Sequence, residues 1–136
     1  MIATGPNGPE TPTSVGLRYE RWKIPSGGRS LDAYLVQAAP DCHPRAALLI
    51  FHGVGETISH WVGVQRLLYD HCISSVVFDY SGDGDSTGRG SVENLDQDAS
   101  ATYESFADLC FAKILHTSGI NRLINRPPSN HPKIWP

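Results

Sequence analysis

The sequence is short of charge, of cysteine and of long apolar runs, and each shortage excludes something. Charged residues make up 18% of the 136, the net charge is -3, and no long run has one sign. No Lys/Arg stripe exists for a nucleic-acid backbone or an anionic membrane surface, so neither partner is expected. No apolar run approaches the roughly 20 residues of a membrane span. Residues 1–14 are polar and rich in Pro, Gly and Thr, without the basic-then-apolar order of a secretory signal. A cytoplasmic location is the expectation that follows. The three cysteines, Cys42, Cys72 and Cys110, are odd in number, and their spacing suits neither a zinc site nor a disulfide framework. Reduced thiols are therefore expected, and no metal site.

What is present fits one α/β domain. Residues 1–15 read as a flexible leader, 16–115 as the domain and 116–136 as an irregular tail. From Leu17 to Ile24, apolar Tyr19, Trp22 and Ile24 sit among charged residues, which suits a half-buried strand. Pro25-Ser26-Gly27-Gly28 supplies the positive φ of a tight turn. Leu31, Ala33 and Leu35 then alternate with Asp32, Tyr34 and Val36, so a β-hairpin opens the domain. The run Ala46–Phe51 is apolar on both faces, the signature of a covered parallel strand. A helix follows, with Ser59 as its cap and Trp61, Val64 and Leu68 on its stripe. The next strand lies near Ser75–Asp79. The period becomes helical again over Val92, Leu95, Ala99, Tyr103, Phe106 and Cys110. Ser91 caps this helix, and Glu93, Asp96 and Asp98 lie near its positive end. After Cys110 neither period continues. A hairpin followed by a βαβα unit, with a truncated sheet, is the predicted architecture.

Two motifs stand at strand ends: His52-Gly53-Val54-Gly55, and Phe78-Asp79-Tyr80-Ser81-Gly82-Asp83-Gly84-Asp85-Ser86. Together, in this order and separated by a helix, they resemble the α/β-hydrolase superfamily, in its serine aminopeptidase-like and esterase-like branch, from about Leu17 to Cys110. The resemblance implies the N-terminal half of that fold. It implies that His52, Gly53 and Gly55 form the oxyanion turn, with the Val54 N–H as one donor to a developing negative oxygen. It also implies a structural turn at Asp79, Gly82, Gly84 and Ser86. Ester or amide hydrolysis through a serine, without cofactor, is the activity implied, with a small-molecule substrate only where the whole fold is present.

That family's nucleophile lies in a Gly-x-Ser-x-Gly elbow, which this sequence lacks. The nearest match, His116-Thr117-Ser118-Gly119-Ile120, puts His and Ile where glycine is needed, so Ser118 is a weak candidate. Joining Ser86, His52 and Asp79 into a triad is rejected, because the resemblance gives His52 and Asp79 structural places. A calcium loop is a rival reading of Asp83, Asp85, Thr87 and Gly88, but its twelfth position falls on Asn94 instead of Glu.

A chain of this kind is expected to be inactive alone. It could be a fragment, a frameshift or splice product, or a short protein that binds a partner. With no neighbour beyond it, the Ala46–Phe51 strand becomes an open apolar edge, and self-association through that edge is expected.

Overall fold

The computed structural model describes residues 7–43, 46–53, 55–110 and 112. Four strands and two helices follow in order: β1 (Glu20–Ser26), β2 (Arg29–Val36), β3 (Ala46–Ile50), α1 (Val62–Asp70), β4 (Ile73–Phe78) and α2 (Val92–Leu109). Short 3-10 turns occupy Pro12–Val15 and Ile58–Trp61. The strands form one sheet in the order β1-β2-β4-β3. β1 and β2 pair antiparallel, β2 and β4 antiparallel, and β3 and β4 parallel. This is the hairpin followed by a βαβα unit that the sequence predicts.

The hairpin closes on Gly27 and Gly28, with φ of 53° and 81°. Two successive left-handed residues match the twist of the flanking strands, which is why glycine stands at both. Alternation along the strands then divides the core into two faces. Ile24, Leu31, Ala33, Leu35, Val76 and Phe78 form one buried cluster with Cys110, and Phe106 and Leu109 of α2 pack on it. Tyr34 and Val77 face the other way and meet Ile58 and Val62. Each fully buried side chain of this size contributes about 1.5–3 kcal/mol.

β3 differs from its neighbour. None of its five residues is buried, whereas five of the six in β4 are. Among the described residues this apolar strand stands at one end of the sheet, and Leu48 and Phe51 are 45% and 48% exposed.

Four sequence expectations are revised. First, Cys42 and Cys72 are joined in a disulfide. They lie 30 residues apart, but one precedes β3 and the other precedes β4. Parallel pairing brings the two strand entries together, with Cα atoms 5.5 Å apart. Only Cys110 is free, and burial pushes its thiol up to about 11. Second, Ser59 does not cap α1. It lies inside the 3-10 turn, where its hydroxyl accepts the Gly8 N–H at 2.9 Å. Third, the apolar stripes hold only in part: Trp61 beside α1, and Phe106 and Cys110 at the end of α2, pack on the core, but the rest of each buried face is different. α1 buries Val62 and Gln65, and α2 buries Asp98, Thr102 and Ala107, while Val64, Val92, Leu95 and Tyr103 are exposed. Fourth, within the stretch expected as a leader, Pro12–Val15 forms an ordered 3-10 turn and Pro12 is buried. The Ser91 cap is as expected: its hydroxyl accepts the Asn94 N–H at 3.0 Å.

Candidate functional site

Parallel pairing puts the carboxyl ends of β3 and β4 at one edge of the sheet. Their register, Ile50 opposite Val77, carries on past the strand ends so that His52 meets Asp79. His52 Nε2 lies 2.9 Å from Asp79 Oδ1, with both side chains fully buried. The other ring nitrogen, Nδ1, lies 3.0 Å from the Gly53 carbonyl oxygen. Each nitrogen thus faces an acceptor, which suits a doubly protonated ring. Burial opposes the charge on His52, but the Asp79 hydrogen bond, the Gly53 carbonyl and the field of Asp79 outweigh it and raise its pKa. Phe51 and Phe78 pack edge to face at 5.4 Å, and His52 meets the Tyr80 ring in the same way at 5.2 Å.

Asp79 does more than hold His52. Its Oδ1 also accepts the Ile58 N–H at 3.0 Å, which ties the start of the 3-10 turn to the end of β4. Its Oδ2 and both amide atoms of Asn7 are buried without a hydrogen-bond partner among the described residues. A Cβ on Gly84 would run into Asp79 Oδ2 and lie 2.8 Å from Asn7 Nδ2, and Gly84 has φ of 50°. Glycine is required there by both space and backbone.

The glycine-rich turn folds back on itself and onto the hairpin. Gly82 N–H donates to the Thr87 carbonyl at 3.2 Å, and Ser86 N–H to that of Asp83 at 2.9 Å. Gly82 has φ of 85°, and a Cβ there would lie 2.7 Å from the Gly90 nitrogen. Ser86 Oγ donates to the Asp79 carbonyl at 2.6 Å and accepts the Asp32 N–H at 2.8 Å. Its hydroxyl is fully engaged with backbone and has no bond to His52, in keeping with rejection of the triad.

The calcium-loop residues are engaged elsewhere. Asp85 Oδ2 accepts from Arg21 at 2.5 Å, and Thr87 Oγ1 accepts the Ser30 N–H at 2.9 Å. Arg21 also donates twice to buried Asp32, at 2.9 and 2.7 Å, and Lys23 adds a third bond at 2.9 Å. Burial works against ionised Asp32, but these cations hold its carboxyl below the usual range. Behind the turn, buried Asp98 accepts from Ser26 Oγ at 2.6 Å, Arg29 Nη2 at 3.2 Å and the Ser81 N–H at 2.7 Å. That network anchors α2 to the turn.

Of the predicted site residues, His52, Gly53, Gly55, Asp79, Gly82, Gly84 and Ser86 lie on the two turns at this edge. Val54 and Ser118 lie outside the described residues. Glu56 was missed: its carboxylate accepts the Gly53 N–H at 2.8 Å. The signal was available, since an acidic residue three positions after a turn N–H is the spacing of a capping box. A groove of about 440 Å³, lined by Gly16, Tyr19, Gln37, Pro40 and Tyr69 among others, includes none of these residues.

Comparison with solved structures finds a similar chain fold in proteins described as esterases and hydrolases. An esterase from Pyrococcus furiosus superposes with a TM-score of 0.63 at 17% identity, over 87% of this chain and 44% of the other. The fold is that of the N-terminal portion of an α/β-hydrolase. An α/β serine hydrolase without a lid from Xanthomonas campestris matches at TM-score 0.54 and 20% identity, over 74% of this chain and 48% of that one. Est1E from Butyrivibrio proteoclasticus, with ferulic acid bound, matches at 0.57 and 23%, over 64% and 36%. The chain therefore spans less than half the length of these α/β-hydrolase structures. No family model and no curated protein matches it.

Proposed function

We propose that this chain is the front portion of a serine-type hydrolase of ester or amide bonds, and that it does not catalyse the reaction alone. The observation that carries the reading is the pair of turns joined by His52 and Asp79 at the carboxyl ends of β3 and β4. Such an edge is where open α/β sheets place their chemistry. In this reading His52 orients its turn and is not the general base, because neither ring nitrogen is left for a substrate proton. The Val54 N–H is assigned to half of an oxyanion hole. The second donor, the nucleophile, the acid and the base belong to chain that the sequence lacks. Without them the hole stabilises no tetrahedral intermediate. The Cys42–Cys72 bridge favours an oxidising compartment over the expected cytoplasm.

The test is covalent labelling of the 136-residue chain with a fluorophosphonate probe. No adduct is expected. A stoichiometric adduct that Ser118→Ala abolishes would overturn the proposal.

A further inference from the structure

The segment ahead of β1 is pinned to the domain at both ends. Near β1, Val15 packs on the buried cluster of Tyr34, Ile58, Val62 and Val77. Pro12 is buried, and its carbonyl accepts the Leu17 N–H at 3.0 Å. At the far end the Gly8 N–H donates to Ser59 Oγ at 2.9 Å. That hydroxyl lies 2.9 Å from Thr57 Oγ1, with both side chains buried. Thr57 and Ser59 flank Ile58, whose N–H donates to Asp79 Oδ1 at 3.0 Å. Asn7 comes next, and both atoms of its side-chain amide are buried. Asn7 Nδ2 and Asp79 Oδ2 crowd the same side of Gly84, where a Cβ would lie 2.8 Å from the first and run into the second. His52 and the Ile58 N–H both bond Asp79 Oδ1, whereas Oδ2 has no hydrogen-bond partner among the described residues. A buried carboxylate oxygen is costly without polar cover.

We propose that residues 7–16 form a strap that positions the oxyanion turn, with Asn7 covering Asp79 Oδ2 and Ser59 serving as the clasp. The Asn7 amide faces the oxygen that His52 and Ile58 leave open, so the carboxylate is held on both sides. Asp79 held in this way fixes the His52 ring, whose other nitrogen bonds the Gly53 carbonyl. The line of contacts thus runs from Asn7 through Asp79 and His52 to Gly53, one residue before Val54. Asn7 touches no reacting atom in this account and is a positioning residue. The use of the turn as half of an oxyanion hole rests on the hydrolytic reading, whereas the hold of the strap on Asp79 does not.

Hydrogen exchange of the full 136-residue chain, followed by proton NMR, tests it. The His52 Nε2–H and the Ile58 N–H, both held on buried Asp79, should exchange slowly. Asn7→Leu keeps the side-chain bulk and removes the amide, and Ser59→Ala opens the clasp. Each should speed the exchange of both protons about tenfold, the scale of one lost hydrogen bond, and leave the α2 amides unchanged. Ser59→Thr keeps the hydroxyl and should keep the slow exchange. Thr13→Ala, at an exposed position of the same segment, should change neither proton. A strap that only filled space would tolerate Asn7→Leu. Unchanged rates in Asn7→Leu and Ser59→Ala, or a uniform acceleration that includes α2, would overturn the proposal. Fluorophosphonate labelling judges the hydrolytic reading separately, so failure of one is distinguishable from failure of the other.

Discussion

Opening the Cys42–Cys72 bridge should cost the domain a large part of its stability. The bridge spans 30 residues and clamps the entries of β3 and β4, the two strands whose far ends carry His52 and Asp79. In the chain-entropy description, closing a loop of that length removes about 12 cal/mol/K from the unfolded ensemble, or roughly 3.6 kcal/mol at 25 °C. For a domain of about 100 ordered residues that corresponds to a fall in Tm on the order of 15 °C or more. The assay is thermal unfolding followed by circular dichroism, with and without reductant, beside the double variant Cys42→Ser/Cys72→Ser. Alkylation in denaturant without reductant should mark one of the three cysteines, Cys110. Three alkylated thiols, or a Tm indifferent to reductant, would refute the reasoning.

Other outcomes follow from the same contacts. Asp79→Ala strands a buried His52 and frees the Ile58 N–H, so urea unfolding should show a loss of about 3–5 kcal/mol; a loss under about 1 kcal/mol would refute the central place given to this pair. Gly82→Ala and Gly28→Ala both occupy left-handed backbone, but only the first meets the Gly90 nitrogen. Gly28→Ala should therefore cost about 1 kcal/mol, and Gly82→Ala clearly more, measured by the same unfolding. The raised pKa of His52 means the folded state holds its proton more tightly than the unfolded chain. Its contribution is complete below the ordinary histidine value of 6.5 and is lost as pH rises through the folded value. Asp32 runs the other way: its lowered pKa contributes above 3.8, and that contribution is lost as pH falls through the folded value. Proton-detected titration of the His52 ring should show the upward shift, and His52→Gln should flatten the alkaline side of the stability curve.

Much of the fold was legible because its strands and turns follow rules local to a few residues. Gly27 and Gly28 announce the hairpin, the Ala46–Phe51 and Ser75–Asp79 runs announce parallel strands, and Ser91 announces a helix. The faces of the helices were only partly legible, for an identifiable reason. Hydropathy places Leu95, Tyr103, Phe106 and Cys110 inward; Phe106 and Cys110 reach the core, but Leu95 and Tyr103 are exposed, and Asp98 and Thr102 are buried with Ala107. Asp98 is tolerated inside only because Ser26, Arg29 and the Ser81 N–H satisfy it. Those partners come from the hairpin and the turn, far away in sequence. Gln65 of α1 is the same case, donating to the Tyr34 and Ser75 carbonyls. The disulfide was missed because its spacing reflects strand pairing and not a local motif. At the site, the two turns were legible from their glycines, whereas the His52–Asp79 contact needed the register of β3 on β4.

The most direct measurement is the intact mass of the natural protein, recovered with an antibody against residues 17–110 and treated with a fluorophosphonate probe. The expected result is that any species taking up the probe weighs well above 14.8 kDa and carries the label on a serine outside the 136 residues described by this sequence. A labelled, hydrolytically active species of 14.8 kDa would contradict it.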